Sequence, residues 1–211
     1  IVNPLGEDQA LMRTTLAVGM MQCMQVNLSR KNERVRLFET ANAFLPEKLP
    51  LTELPEERFT LCMGAMGDDM DFYAFKGCVE TLLDELRIFG AAFSAGAEVY
   101  YHPGRCAAVT KGGASLGMVG EVHPDVLERF GMDKKVFLAE LDMKKMYAAA
   151  DNTVQYRPLP KFHPVMRDMA VVVPEAQEVG PMLSAIKEAC GDRLVAAEVF
   201  DIYRGSQLER G

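Results

Sequence analysis

Residues 35–66 read VRLFETANAFLPEKLPLTELPEERFTLCMGAM, and the order of these pieces decides the fold. Two runs rich in β-branched and aromatic residues, 35–44 and 58–66, have the length and composition of strands. Between them Pro46, Pro50 and Pro55 each fix φ and remove a backbone donor, so 45–57 reads as a long surface loop and the second strand resumes the sheet.

Upstream, Leu16, Met20, Met24 and Leu28 recur at helical spacing with Met21 beside them, which predicts an amphipathic helix over 17–27. Thioethers adapt to irregular partners, but this spacing assigns the methionine stripe to a core. The cluster Arg30, Lys31, Arg34 follows. It suits either a phosphate contact or simple solvation at a helix C-terminus, where cations are favoured.

Downstream, Phe72, Phe75, Val79, Leu82, Leu83, Leu86 and Phe89 fall at steps of three and four behind Asp71, which can cap. A long helix lying across the sheet is expected. Short apolar runs EVYY, CAAVT and SLGMVGEV come next, with Lys111-Gly112-Gly113 as hairpin chemistry between the last two. A brief helix PDVLERF ends at Gly131, and the strand VFLAELDM with the helical DMKKMYAAA closes a first domain, residues 1–153. Residues 154–211 begin with a proline-punctuated linker and continue as strand RDMAVVV, helix GPMLSAIKEAC and strand LVAAEVFDIY.

Composition narrows the class. The chain has 211 residues, 49% of them hydrophobic and 25% charged, enough for one sizeable core and part of a second. No apolar run approaches the roughly 20 residues of a membrane span, and residues 1–9 lack signal-peptide character, so a cytoplasmic protein is expected. Five cysteines, odd in number and without a CxxC pair, predict reduced and mostly buried thiols. The net charge of −7 argues against coating nucleic acid by phosphate neutralisation alone. It is uneven: residues 154–211 hold 7 Lys/Arg against 8 Asp/Glu, leaving −6 for residues 1–153.

Candidate chemistry meets a plainer explanation at each place. His102, His123 and His163 each precede a proline that forces an extended backbone, and no two have the short spacing of paired metal ligands. Asp68, Asp69 and Asp71 would suit magnesium, yet they lead straight into a helix N-terminus that favours carboxylates. No phosphate loop, GxSxG elbow or GxGxxG turn is present. No catalytic, cofactor-binding or metal residue is therefore assigned.

The strings NPLGEDQALMRTTL, NLSRKN, RLFETANAF, YHPGRCA and GEVHPDVLERFG follow one another as in the beta subunits of bacterial phenylalanine–tRNA ligases, and the chain resembles that family along nearly its whole length. KFHPVMRDMAVVV and FDIYRG resemble the first half of that subunit's ferredoxin-fold anticodon-binding domain. The resemblance implies an α+β protein: a class II aminoacyl-tRNA synthetase-like antiparallel sheet flanked by helices, then a partial ferredoxin-like βαβ unit. It also implies a non-catalytic role in an α2β2 ligase, with the alpha subunit, ATP and magnesium doing the chemistry and the tRNA for phenylalanine as partner.

The residues agree with that absence of chemistry. In active class II enzymes the motif 2 strand resembles EIxxxFRxE, whose arginine holds the ATP α-phosphate. Here the matching string is ETANAFLPE, and Leu45 stands where the arginine belongs. The glycines and arginine of motif 3 are missing from VFLAELDMKKM, and motif 1 would lie upstream of Ile1. An enzyme with another adenylation chemistry would need a substitute cation, for which Arg36 and Lys48 are the nearest. A stand-alone RNA-binding or regulatory module would need a complete C-terminal domain and a basic face.

At the RNA end many relatives carry proline one place before Pro164 and a second basic residue at Met166, so local positive charge is lower here. Arg167 and Arg204 are the candidate tRNA contacts, with pairing to Asp168, Asp201 or a neighbouring carboxylate as the alternative. A ferredoxin fold places its third strand between the first two. Residues 167–203 alone should bury too little surface to order themselves, and are expected to close the gap, pack on the core near Phe162 or exchange strands with another copy.

Overall fold

The computed structural model describes residues 1, 3–7, 10–153, 156, 158, 159 and 161–204, and the chain divides into two units, Ile1–Val154 and Gln155–Gly211. The expectations for residues 154, 155, 157 and 160 of the linker, and for Gly205 of FDIYRG, lie outside the described residues.

The first unit is a six-stranded sheet. In chain order it runs α1 (Ala17–Ser29), β1 (Val35–Leu45), β2 (Glu56–Met66), α2 (Phe72–Glu85), β3 (Ala92–Ala95), β4 (Tyr101–Lys111), β5 (Ala114–Val122), α3 (Pro124–Arg129), β6 (Val136–Asp142) and α4 (Met143–Ala149). The strand order is β1-β2-β6-β5-β4-β3, and every adjacent pair is antiparallel.

Side-chain alternation divides the sheet into two faces. One buries Cys62, Met66, Val122, Val136 and Leu138 under Met20, Met21 and Met24 of α1. The other buries Leu61, Ala65, Val109, Val119, Phe137 and Leu141 under Phe75, Val79 and Leu83 of α2. Met24 and Val79 are both 0% exposed. Full burial of each such side chain stabilises by roughly 1.5–3 kcal/mol, so the two stripes attach the helices. Gly64 permits the close approach of α1, because a Cβ there would lie 2.7 Å from Cε of Met24.

Local signals set the ends of these elements. The Asp71 carboxylate accepts from the Ala74 amide at 2.7 Å and starts α2. The β4–β5 hairpin turns on Gly112 and Gly113, at φ 56° and 83°, which suits the right-handed twist of paired strands. His123 caps α3 by accepting from the Asp125 amide at 3.2 Å, and Gly131 at φ 64° follows its end. Both α1 and α2 close with a left-handed residue, but neither uses glycine: Lys31 has φ 66° and Arg87 has φ 57°.

Three local readings change. Residues 98–101 form a turn, in which the Tyr101 amide donates to the Glu98 carbonyl at 3.1 Å, and only Tyr101 of EVYY is in a strand. The short β3, built from Ala-Phe-Ser-Ala, carries too little β-branched character to be read from sequence. Cys62 and Cys106 are buried, but Cys23 and Cys78 are exposed because they fall off the buried stripes of α1 and α2, and Cys190 is exposed because its helix buries no residue among those described.

The second unit holds α5 (Val179–Cys190) and one 3-10 turn, Gly191–Arg193. The expected strands RDMAVVV and LVAAEVFDIY form no hydrogen-bonded ladder among the described residues. In the ferredoxin arrangement these two strands are not neighbours, so neither supplies the other's backbone partners.

Candidate functional site

The α1 face of the sheet carries the polar residues of interest. Glu39 of β1 lies opposite Cys62 of β2, and Cys62 lies opposite Glu140 of β6, so all three point to this face. Glu140 accepts three short hydrogen bonds. They come from the Leu16 amide at 2.7 Å, the Thr15 hydroxyl at 2.7 Å and the Tyr100 hydroxyl at 2.7 Å. The Ala17 amide donates to Thr15 Oγ1 at 3.0 Å. The N-terminus of α1, which has no local side-chain cap, is therefore closed by a carboxylate from a distant strand.

Burial, reinforced by the Glu140 charge, raises the Tyr100 phenol far above its usual range. Burial likewise raises the neighbouring Tyr101 phenol, which is 1% exposed and whose hydroxyl makes no hydrogen bond among the described residues. Cys62 is pushed up by burial first and then by the Glu140 and Glu39 charges, so it is no thiolate nucleophile at neutral pH.

Leu45 belongs to this same face, because β1 pairs with β2 without a bulge and odd-numbered residues stay on one side. Near it runs Arg13. Its guanidinium donates to the Asn42 carbonyl at 3.0 Å and to Glu39 Oε1 at 2.9 Å, while its carbonyl accepts from the Phe44 amide at 2.8 Å. Arg36 lies on the opposite face, across from Ala65, and pairs with Asp69. The sequence reading named Arg36 and Lys48 as substitute cations and missed Arg13, whose relation to Leu45 depends on a pairing no spacing reveals.

The other candidates resolve into structure. Asp71 caps α2, Asp69 takes both Arg34 and Arg36, and Asp68 pairs with Lys134 at 3.3 Å. The His102 imidazole accepts from the Gly104 amide at 3.1 Å. Arg105 of YHPGRCA meets Glu121 of GEVHP at 2.9 Å, joining the two strings. No cluster of three or more His, Cys, Asp or Glu suited to a metal occurs among the described residues, and no helix of these residues is long and apolar enough to cross a membrane. In the second unit Arg167 donates to the carbonyl of Met166 at 2.9 Å, and Arg204 lies 3.9 Å from Glu175; both arginines are exposed.

The antiparallel sheet with helices on both faces is that of the class II aminoacyl-tRNA synthetases. Two solved structures of the pyrrolysyl-tRNA synthetase of Desulfitobacterium hafniense match it with TM-scores of 0.50 and 0.52 at 16% identity, covering 64% of this chain and 48% of theirs. The chain belongs to the phenylalanyl tRNA synthetase beta chain family, whose CLM domain model matches residues 1–143. A second model, the ferredoxin-fold anticodon binding domain, matches residues 160–211. Similar relatives include the phenylalanine–tRNA ligase beta subunits of Clostridium tetani, 38% identical over 100% of this chain and 26% of the relative, and of Symbiobacterium thermophilum, 34% identical over 100% and 25%. That of Geobacter sulfurreducens is 33% identical over 99% of this chain and 27% of its own. The chain thus spans about a quarter of the length of these curated relatives.

Proposed function

We propose that this chain is a non-catalytic part of the beta subunit of a cytoplasmic α2β2 phenylalanine–tRNA ligase, with a synthetase-like core over 1–153 and anticodon-binding elements over 154–211. The alpha subunit performs the ATP- and magnesium-dependent attachment of phenylalanine. One observation carries the reading: on the sheet face where an active relative presents its phosphate-holding arginine there is Leu45, and the nearby Arg13 is already committed to Glu39. A leucine offers neither donor nor charge to a phosphate. The exposed Arg167 and Arg204 serve as tRNA contacts from the second unit.

The test is pyrophosphate exchange on the assembled ligase. Leu45→Arg in the beta subunit should leave phenylalanine-dependent exchange within twofold of the unmutated enzyme, and the isolated beta subunit should give none. Exchange by the beta subunit alone, above a heat-killed control, would refute the assignment. Arg167→Ala and Arg204→Ala should each weaken tRNA binding without changing exchange.

A further inference from the structure

Strands β1 and β2 pair without a break down to Leu45 and Glu56, and residues 46–55 lie outside that ladder. A tight hairpin needs far less, as the Gly112-Gly113 turn between β4 and β5 shows. The extra length contributes no polar contact to the fold. No residue from 46 to 55 takes part in a hydrogen bond or an ion pair among the described residues.

The apolar content of this loop does not suit a segment that meets only water. Leu49, Leu51 and Leu54 are 78%, 56% and 93% exposed, so three large apolar side chains stand out within a single short stretch. Leucines exposed singly are ordinary on a surface, whereas a group of them marks a place where another molecule binds. Pro46, Pro50 and Pro55 fix φ at three points. The loop therefore has less conformational freedom to lose on docking than an unrestrained segment of its length.

We propose that residues 49–54 are a docking segment whose three leucines enter an apolar groove on the alpha subunit of the ligase. Under the reading given above two macromolecules meet the chain, the alpha subunit and tRNA, and the chemistry of the loop separates them. It offers the carboxylates of Glu47 and Glu53 against the single ammonium of Lys48, and the strand that follows begins Glu56-Glu57-Arg58, so no positive charge accumulates. Residues 46–55 include no arginine and no aromatic ring. The loop can neither neutralise phosphates nor stack on bases, which excludes tRNA as its occupant. A protein groove asks for what the loop has, apolar side chains on a proline-restrained chain. The inference rests on the reading of the chain as part of the beta subunit, to which it adds a surface for the alpha subunit.

The test uses full-length subunits and measures their association by titration. Leu51→Ser combined with Leu54→Ser alters only exposed side chains, so the variant beta subunit should melt as the unmutated one does. It should bind the alpha subunit about 10- to 100-fold more weakly, while tRNA affinity at saturating alpha subunit stays the same. Trypsin should cut after Lys48 in the free beta subunit and not in the assembled ligase. Unaltered association of the double variant would overturn the docking assignment and leave the ligase reading standing. So would a free beta subunit already protected at Lys48, because its own chain or a second copy would then hold the loop. A loss of tRNA affinity with assembly intact would make the loop an RNA contact and overturn the assignment as well. If the unmutated subunits failed to associate at all, the underlying reading would fall together with the docking segment.

Discussion

Glu140 caps a helix whose N-cap residue lies 124 residues earlier: its Oε1 accepts the Leu16 amide at 2.7 Å, and α1 starts at the next residue. The carboxylate also sits at a helix N-terminus, where a negative charge is favoured. Glu140→Gln keeps the shape but loses the charge and turns one acceptor into a donor aimed at donors. It should cost about 1–2 kcal/mol in urea unfolding, and Glu140→Ala more. A change below about 0.3 kcal/mol for both variants would show that α1 needs no cap from β6.

Tyr100 and Tyr101 should respond oppositely to the loss of a hydroxyl. Tyr100→Phe strips a donor from Glu140 and should destabilise by about 1 kcal/mol, whereas Tyr101→Phe removes a buried hydroxyl with no partner and should be neutral or stabilising by up to about 1 kcal/mol.

The same pair sets an alkaline limit. Both phenols are raised on folding, so the folded state favours their protonated forms; this contribution is complete below the model-compound value of 10.0 and is lost as the pH climbs beyond it. Thermal melts should hold level to about pH 9.5 and then fall. Tyrosinate absorbance should show Tyr100 and Tyr101 ionising only with unfolding, and their ionisation in the folded protein would contradict the burial.

Gly117 tolerates no side chain. Its φ is 150°, and a Cβ would stand 2.0 Å from the Glu140 carbonyl oxygen, a backbone atom with no room to retreat. Gly117→Ala should cost about 3 kcal/mol or more, or prevent folding, read as soluble yield and Tm. Gly112→Ala, with nothing within 4 Å of its Cβ, should cost only the strain of its positive φ, about 1 kcal/mol.

Much of the fold was legible because its signals are local. Helix α2 announces itself through Phe75, Val79, Leu83 and the Asp71 cap, and the β4–β5 turn through Gly112 and Gly113. What stayed hidden depends on contacts distant in sequence. Thr15, Tyr100 and Glu140 share no spacing; the β4–β5 and β5–β6 pairings carry Tyr100 towards Glu140, and Thr15 arrives from the segment before α1. Arg34 read as a solvated or phosphate-contacting cation, Arg36 as a substitute cation and Asp69 as part of an acidic run leading into a helix; their convergence needs the β1 strand beside the loop before α2. RDMAVVV and LVAAEVFDIY show the opposite failure. Their β-branched composition is right for strands, but a strand is a pairing and composition supplies no partner.

The distant cap also bears on the order of events as the chain is made. A ribosome delivers Leu16 long before Glu140, and synthesis at about 5–20 residues per second separates them by several seconds. During that interval the methionine stripe of α1 has neither its carboxylate nor the Val136 and Leu138 side chains it packs against. A nascent chain stalled before residue 140 would expose that stripe and engage holding chaperones. Its release should coincide with the emergence of β6, at the centre of the sheet, and not with the completion of any earlier strand.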